Sequence, residues 1–211
     1  FEPRLDDFES RLKGKGYAEI AAGGGGILST VTKVRGATQA QLAAGLLRRA
    51  ALFLECGTTT LEAKSGYGLD LDTELKMLRA IRDAAVQTPL ELVPTFIGAH
   101  AFPAEMNDRR GEYVRRVCAE MIPAVAKEKL ARFADVFCEQ GFFTLEDTGR
   151  ILEAAAQAGL ALKIHSEQLS RSGSVTLAVK ANAASADHLD CIEQADISVL
   201  RDSGTVACLV P

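Results

Sequence analysis

Three things are missing from this sequence: an excess of positive charge, a CxxC pair and a long apolar run. Lys and Arg number 24 against 28 Asp and Glu, for a net charge of -4. That balance leaves no electrostatic footprint for nucleic acid or an anionic membrane. No apolar stretch reaches the roughly 18 residues that a bilayer span needs. No secretory signal is visible, and the chain begins at Phe1, not Met. The five cysteines, Cys56, Cys118, Cys138, Cys191 and Cys208, lie far apart. A structural zinc ribbon is therefore not expected. Reduced, mostly buried thiols of a cytoplasmic protein are.

What is present is an alternation of strand-like and helix-like segments. The strand candidates are residues 57–63 (GTTTLEA), 90–98 (LELVPTFIG), 134–139 (ADVFCE), 160–165 (LALKIH), 184–188 (ASADH) and 204–210 (GTVACLV). Several are almost continuously apolar, as strands buried on both faces are. Between them lie amphipathic helices. Thr38 can cap one that ends before Gly57, and Asp72 one carrying Leu75, Leu78 and Ile81. A third carries Tyr113, Val117 and Met121, with Pro123 expected to disturb its end. Thr144, with Asp147 three residues on, can cap a fourth that stops at Gly159. A short helix fits near residues 174–181, and a last one runs through Ile197 and Leu200. Repeated β-then-α order implies a parallel sheet with right-handed crossovers. A (β/α)8 barrel and an open doubly wound sheet both fit. Six units fall short of the eight of a closed barrel, and no linker divides residues 1–211.

Active sites of parallel α/β folds sit at the carboxyl ends of the strands. The chain has three histidines, His100, His165 and His188, and each falls at or just after such an end. Imidazole suits Zn and Fe as a ligand, and it also shuttles protons. One His at a strand end is as readily a hydrogen-bonded structural residue; three are harder to set aside. Glu167 and Gln168 follow His165, and Asp187 precedes His188. Lys64 and Tyr67 lie in a Gly-containing stretch after the first strand. They read either as a solvated turn with one ring packed down or as a site whose phenol meets a carboxylate or carbonyl. The four-glycine run at residues 23–26 lacks a Gly-Lys-Ser/Thr ending, so a mobile loop fits better than a phosphate loop.

Longer motifs carry a resemblance. GGGGILSTV at residues 23–31, KSGYGLD at 64–70, TELKMLR at 73–79, TFIGAH at 95–100, VFCE at 136–139, HSEQL at 165–169 and SADHL at 185–189 resemble, in order, the imidazolonepropionase family. That family belongs to the amidohydrolase superfamily. The resemblance implies a metal-dependent (β/α)8 TIM barrel, here incomplete at about six units, and a small β-sandwich domain not present in the chain. It implies hydrolysis of the cyclic amide of 4-imidazolone-5-propanoate to N-formimidoyl-L-glutamate in histidine degradation. One Zn or Fe ion is the implied cofactor, and a homodimer the implied full-length assembly. By position, His165 is the implied metal ligand and Arg4 holds the substrate propionate. Tyr67 and His100 bind substrate, Gln168 contacts the imidazolone ring, and His188 stands near the attacking water. Glu167 occupies a position where the family often has Asp, which leaves its role open.

The resemblance also implies absences. The sequence has no His-x-His, a pair expected just before Phe1, and an eighth-strand Asp is expected beyond Pro211. With one ligand of four, this polypeptide alone is expected to bind metal weakly and to be inactive. Two alternatives stand beside the hydrolase: a related cyclic amidohydrolase or deaminase, and an inactive barrel fragment acting as a binding module.

Overall fold

A computed structural model describes residues 4–16, 19–20, 23 and 25–209. Gly24 and the Val210 end of the sixth expected strand lie outside the described residues. Among the described residues the order of named elements opens with α1 (Leu5–Leu12), α2 (Ile27–Gly36) and α3 (Gln39–Glu55). Then β1 (Thr60–Lys64), α4 (Leu71–Ala85) and β2 (Glu91–Ala99) begin the strict alternation. It continues with α5 (Arg110–Arg116), a π turn over Val117–Met121, α6 (Ile122–Lys127), β3 (Phe133–Cys138) and α7 (Leu145–Gln157). Next are β4 (Ala161–Ser166), α8 (Ser174–Lys180), β5 (Ser185–His188), α9 (Gln194–Arg201) and β6 (Val206–Leu209).

The strands form one sheet in the order β1-β2-β3-β4-β5-β6, every pair parallel. The sheet is curled, and its side chains show it. In a flat sheet β1 and β5 would stand about 19 Å apart, four strand spacings. Yet Lys64 Nζ of β1 lies 3.1 Å from Asp187 Oδ2 of β5, and 2.6 Å from Asp135 Oδ2 of β3. Three inward side chains from alternate strands meeting in one layer is how a barrel interior is filled. The sheet is thus part of a TIM-like barrel, with β1 and β6 at its open edges. All of β6 is exposed.

Local chemistry explains the helices. Thr38 and Gln41 form a capping box on α3, and Thr144 and Asp147 form one on α7. The cap of α4 is Asp70, not Asp72: its carboxylate accepts from the Thr73 N–H at 2.7 Å. Asp72 instead lies inside the first turn, where a negative charge suits the helix dipole. The buried face of α4 (Leu75, Leu78, Ile81) repeats at three-residue steps and packs into the core. Pro123 does not end its helix. The π turn immediately before it widens the coil, so the chain continues past a residue that has no N–H to donate. The glycine run leads directly into α2. Gly26 donates its N–H to Asp7 at 2.8 Å, and a Cβ on Gly25 would lie 2.7 Å from Ile20. At residues 25 and 26, then, the run is a packed connection. The cysteines are not mostly buried. Only Cys138 is, while Cys56 and Cys208 are exposed, Cys208 because it sits on the uncovered β6.

Candidate functional site

All six residues singled out above, Arg4, Tyr67, His100, His165, Gln168 and His188, line one cavity of about 280 Å³ at the carboxyl ends of the strands. Each is put there by a local device. A register irregularity between Phe96 and Ala99 ends β2 and re-aims the chain just before His100. His100 Nδ1 lies 3.0 Å from the Gly66 carbonyl, which can only accept, so that nitrogen is the donor. Burial, with help from nearby His165, lowers the His100 pKa from 6.5 to about 4. His100 is therefore neutral near pH 7, with Nε2 left as an acceptor.

The Tyr67 ring packs edge-on against His100, with centroids 5.0 Å apart. The Arg4 guanidinium stacks over Tyr67 at 5.6 Å and donates from Nε to Thr30 Oγ1 at 2.9 Å. The loop bearing Tyr67 is shaped by Glu74, a fully buried carboxylate at the start of α4. Glu74 accepts from the N–H groups of Gly66, Gly68 and Leu69 at 2.9, 2.7 and 3.0 Å. Its burial raises its pKa, against the pull of those bonds and of the Ser65 hydroxyl. Gly66 has φ +91°, and a Cβ there would lie 2.6 Å from Ile97 Cγ2. Only glycine fits.

After β4 two more carboxylates set the loop around Gln168. Glu139, at the end of β3, accepts from the Leu169 N–H at 2.8 Å and from the Ser170 hydroxyl. Glu167 is fully buried and accepts from the Ser172 and Gly173 N–H groups at 2.6 and 2.9 Å and from Ser174 Oγ at 3.2 Å. These bonds fold the loop back onto the start of α8. Glu167 does not line the cavity.

The rings of His165 and His188 lie 5.0 Å apart. Burial, then the neighbouring His165, lowers the His188 pKa. His188 and Leu189 have φ of +81° and +64°. Two consecutive non-glycine residues in that region store strain, as functional positions often do. Below the histidines is an ionic layer. Burial opposes the charge on Lys64, but Asp135, Asp187 and Glu62 outweigh it and hold the ammonium well above an ordinary lysine. The same layer holds Asp135 well below the usual carboxylate range, where His165 and Lys64 outweigh its burial. The solvated-turn alternative for Lys64 is therefore wrong; its ammonium is turned into the barrel. Asp135 could have been suspected from one signal, a carboxylate inside the apolar strand ADVFCE.

Asp135, His165 and Asp187 bring potential ligand atoms within 4.8 Å of one another. Among the described residues this is the one cluster of metal-ligating type found.

Sequence comparison decides the kinship. The chain is 46% identical over 208 residues to an imidazolonepropionase of Paraburkholderia phymatum, covering 99% of this chain and 51% of that protein. It is 48% identical to those of Myxococcus xanthus and Yersinia enterocolitica, again over 99% of this chain and about half of each relative. It is a relative of the imidazolonepropionases. The chain spans about half the length of the curated relatives it matches. No family model matches it. The imidazolonepropionase match runs through every residue lining the cavity, because it covers nearly the whole chain.

Proposed function

We propose that this chain is the barrel core of an imidazolonepropionase, a metal-dependent cyclic amidohydrolase that opens the ring of 4-imidazolone-5-propanoate to N-formimidoyl-L-glutamate. The observation that carries this reading is the convergence of Arg4, Tyr67, His100, His165, Gln168 and His188 on a single cavity. Arg4, oriented by Thr30 and Tyr67, presents a planar cation that suits two hydrogen bonds to the propionate. Neutral His100 offers Nε2 as acceptor for a ring N–H, and the Tyr67 phenol lies beside it. Gln168, fixed by the Glu139 clasp on the next two residues, contacts the imidazolone ring. His188 carries a lowered pKa and so is neutral near pH 7, able to accept a proton from the attacking water.

Imidazole at His165 fits Zn or Fe. The carboxylates of Asp135 and Asp187 fit less well, because Lys64 Nζ already satisfies both. His165 would thus hold the ion together with ligands from elsewhere in the whole protein. When bound, the ion lowers the pKa of a water and polarises the cyclic carbonyl. The whole protein would add the rest of the amidohydrolase barrel and a small β-sandwich domain, act as a cytoplasmic homodimer, and leave residues 1–211 inactive when alone.

Turnover of 4-imidazolone-5-propanoate by the whole protein, before and after chelation, tests the reading. The expected result is N-formimidoyl-L-glutamate release that chelator abolishes. Arg4→Gln should raise KM about 10-fold or more with a smaller effect on kcat, as loss of uniform binding does. No release, or an Arg4→Gln variant with unchanged KM, would overturn it.

A further inference from the structure

The imidazole of His165 is gripped on one side. Its Nδ1 lies 3.1 Å from Asp135 Oδ1 and 3.0 Å from Oδ2. The Asp135 side chain is fully buried, and its other contact is the Lys64 ammonium at 2.6 Å. Lys64 has only donors to offer, and it spans to Asp187 at 3.1 Å. Asp187 in turn accepts from the Ser185 hydroxyl at 2.6 Å. One ion-paired layer, Asp135–Lys64–Asp187, therefore backs the Nδ1 side of the ring.

A carboxylate can only accept, so the nitrogen facing it must carry the hydrogen. A neutral imidazole has one N–H, which leaves Nε2 with a bare lone pair on the opposite corner of the ring. His165 lines the cavity and Asp135 does not, so that corner is the one turned to the cavity.

We propose that Asp135, braced by Lys64, is the positioning residue for His165: it holds the Nδ1–H tautomer and presents Nε2 to the cavity as the ligating nitrogen. The use of that lone pair rests on the metal reading above; the hold on Nδ1 does not. The arrangement also settles how the cluster of Asp135, His165 and Asp187 is used. A divalent ion could enter it only by displacing an ammonium paired at 2.6 and 3.1 Å with both carboxylates. Lys64 is the cation of that cluster, and the metal side of His165 is the other one. Ligating histidines generally donate their second N–H to such a carboxylate, and removing it weakens metal binding 10- to 100-fold.

The test is imidazole 15N NMR of the metal-free whole protein at pH 8, followed by Zn2+ addition. For His165 the expected result is a protonated Nδ1 and a bare Nε2. A proton on Nε2, or on both nitrogens, overturns the proposal without any variant. In Asp135→Ala the Nδ1–H signal should be lost. The initial slope of the His165 shift against Zn2+ should also fall 10- to 100-fold. Lys64→Gln should give the same tautomer change in part, since the brace is lost and the carboxylate kept. An Asp135→Ala slope equal to wild type overturns the positioning role. Wild-type whole protein with the expected tautomer but no Zn2+ response at Nε2 supports the positioning and overturns the metal reading instead.

Discussion

Replacing Glu74 by Gln asks whether a carboxylate, and not mere bulk, shapes the loop that carries Tyr67. Glu74 Oε1 accepts from Gly68 and Leu69, and Oε2 accepts from Gly66. Gln fills the same space but has one accepting oxygen and one NH2 group. With its oxygen kept on Gly68 and Leu69, the NH2 faces the Gly66 N–H; turned over, it strands two groups. One buried N–H without a partner is the least loss, at about 1–3 kcal/mol. Glu74→Ala strands all three, and about 3–5 kcal/mol is expected, the upper range for single substitutions. The sign of the pH dependence follows from burial, which raises the Glu74 pKa. A carboxyl raised in the folded state contributes most below its unfolded value and loses that contribution as pH rises through the folded one. Gln has no such decline. A protonated carboxyl also keeps an acceptor lone pair on each oxygen, which an NH2 does not. The Glu74→Gln penalty should therefore be larger in mild acid than at pH 8. Urea unfolding followed by circular dichroism reads it. With a slope near 2 kcal/mol per molar, a loss of ~2 kcal/mol moves the midpoint by about 1 M. Glu153→Gln, whose partner Gln157 is exposed, should leave the midpoint in place. A Glu74→Gln midpoint equal to wild type at both pH values would refute the clasp.

His100 gives a second pH signature. Its pKa falls from 6.5 to about 4 on folding, so its contribution is complete above 6.5 and lost as pH falls towards 4. The loss is at most about 3.5 kcal/mol at about 1.4 kcal/mol per pH unit. His100→Phe should flatten that part of the stability profile, and a profile of unchanged shape would contradict the assignment. Gly66→Ala should cost about 2–4 kcal/mol, from a left-handed φ and a Cβ 2.8 Å from the Ile97 carbonyl oxygen. Thermal unfolding measures this, and a melting temperature within error of wild type would show that the loop relaxes freely.

The strands were legible because their signal is local. ADVFCE is apolar because both faces of β3 are covered, LALKIH alternates because one face of β4 is, and the structure places both strands within a residue or two of those runs. Capping boxes at Thr38 and Thr144 are equally local. Asp70 and Asp72 offer the same chemistry two residues apart, and what separates them is the bond that Asp70 alone accepts from the Thr73 N–H. Helices α1 and α2 gave little warning. Ile27–Gly36 mixes β-branched residues with helix formers and follows a glycine run. At the site, histidines at strand ends could be read by position. The Lys64–Asp135–Asp187 layer could not, because its partners stand 71 and 123 residues apart and meet only through the curl of the sheet.

Glu74, Glu139 and Glu167 share a consequence for binding kinetics. Each accepts backbone N–H groups from a loop at the mouth of the cavity, so those loops are ordered before any ligand arrives. Fixing one residue's backbone costs about 1–2 kcal/mol. Here that cost falls on folding, and a ligand entering between Tyr67 and Gln168 does not bear it again. Association should then proceed as a single step set by diffusion and orientation, with no slow phase for loop closure.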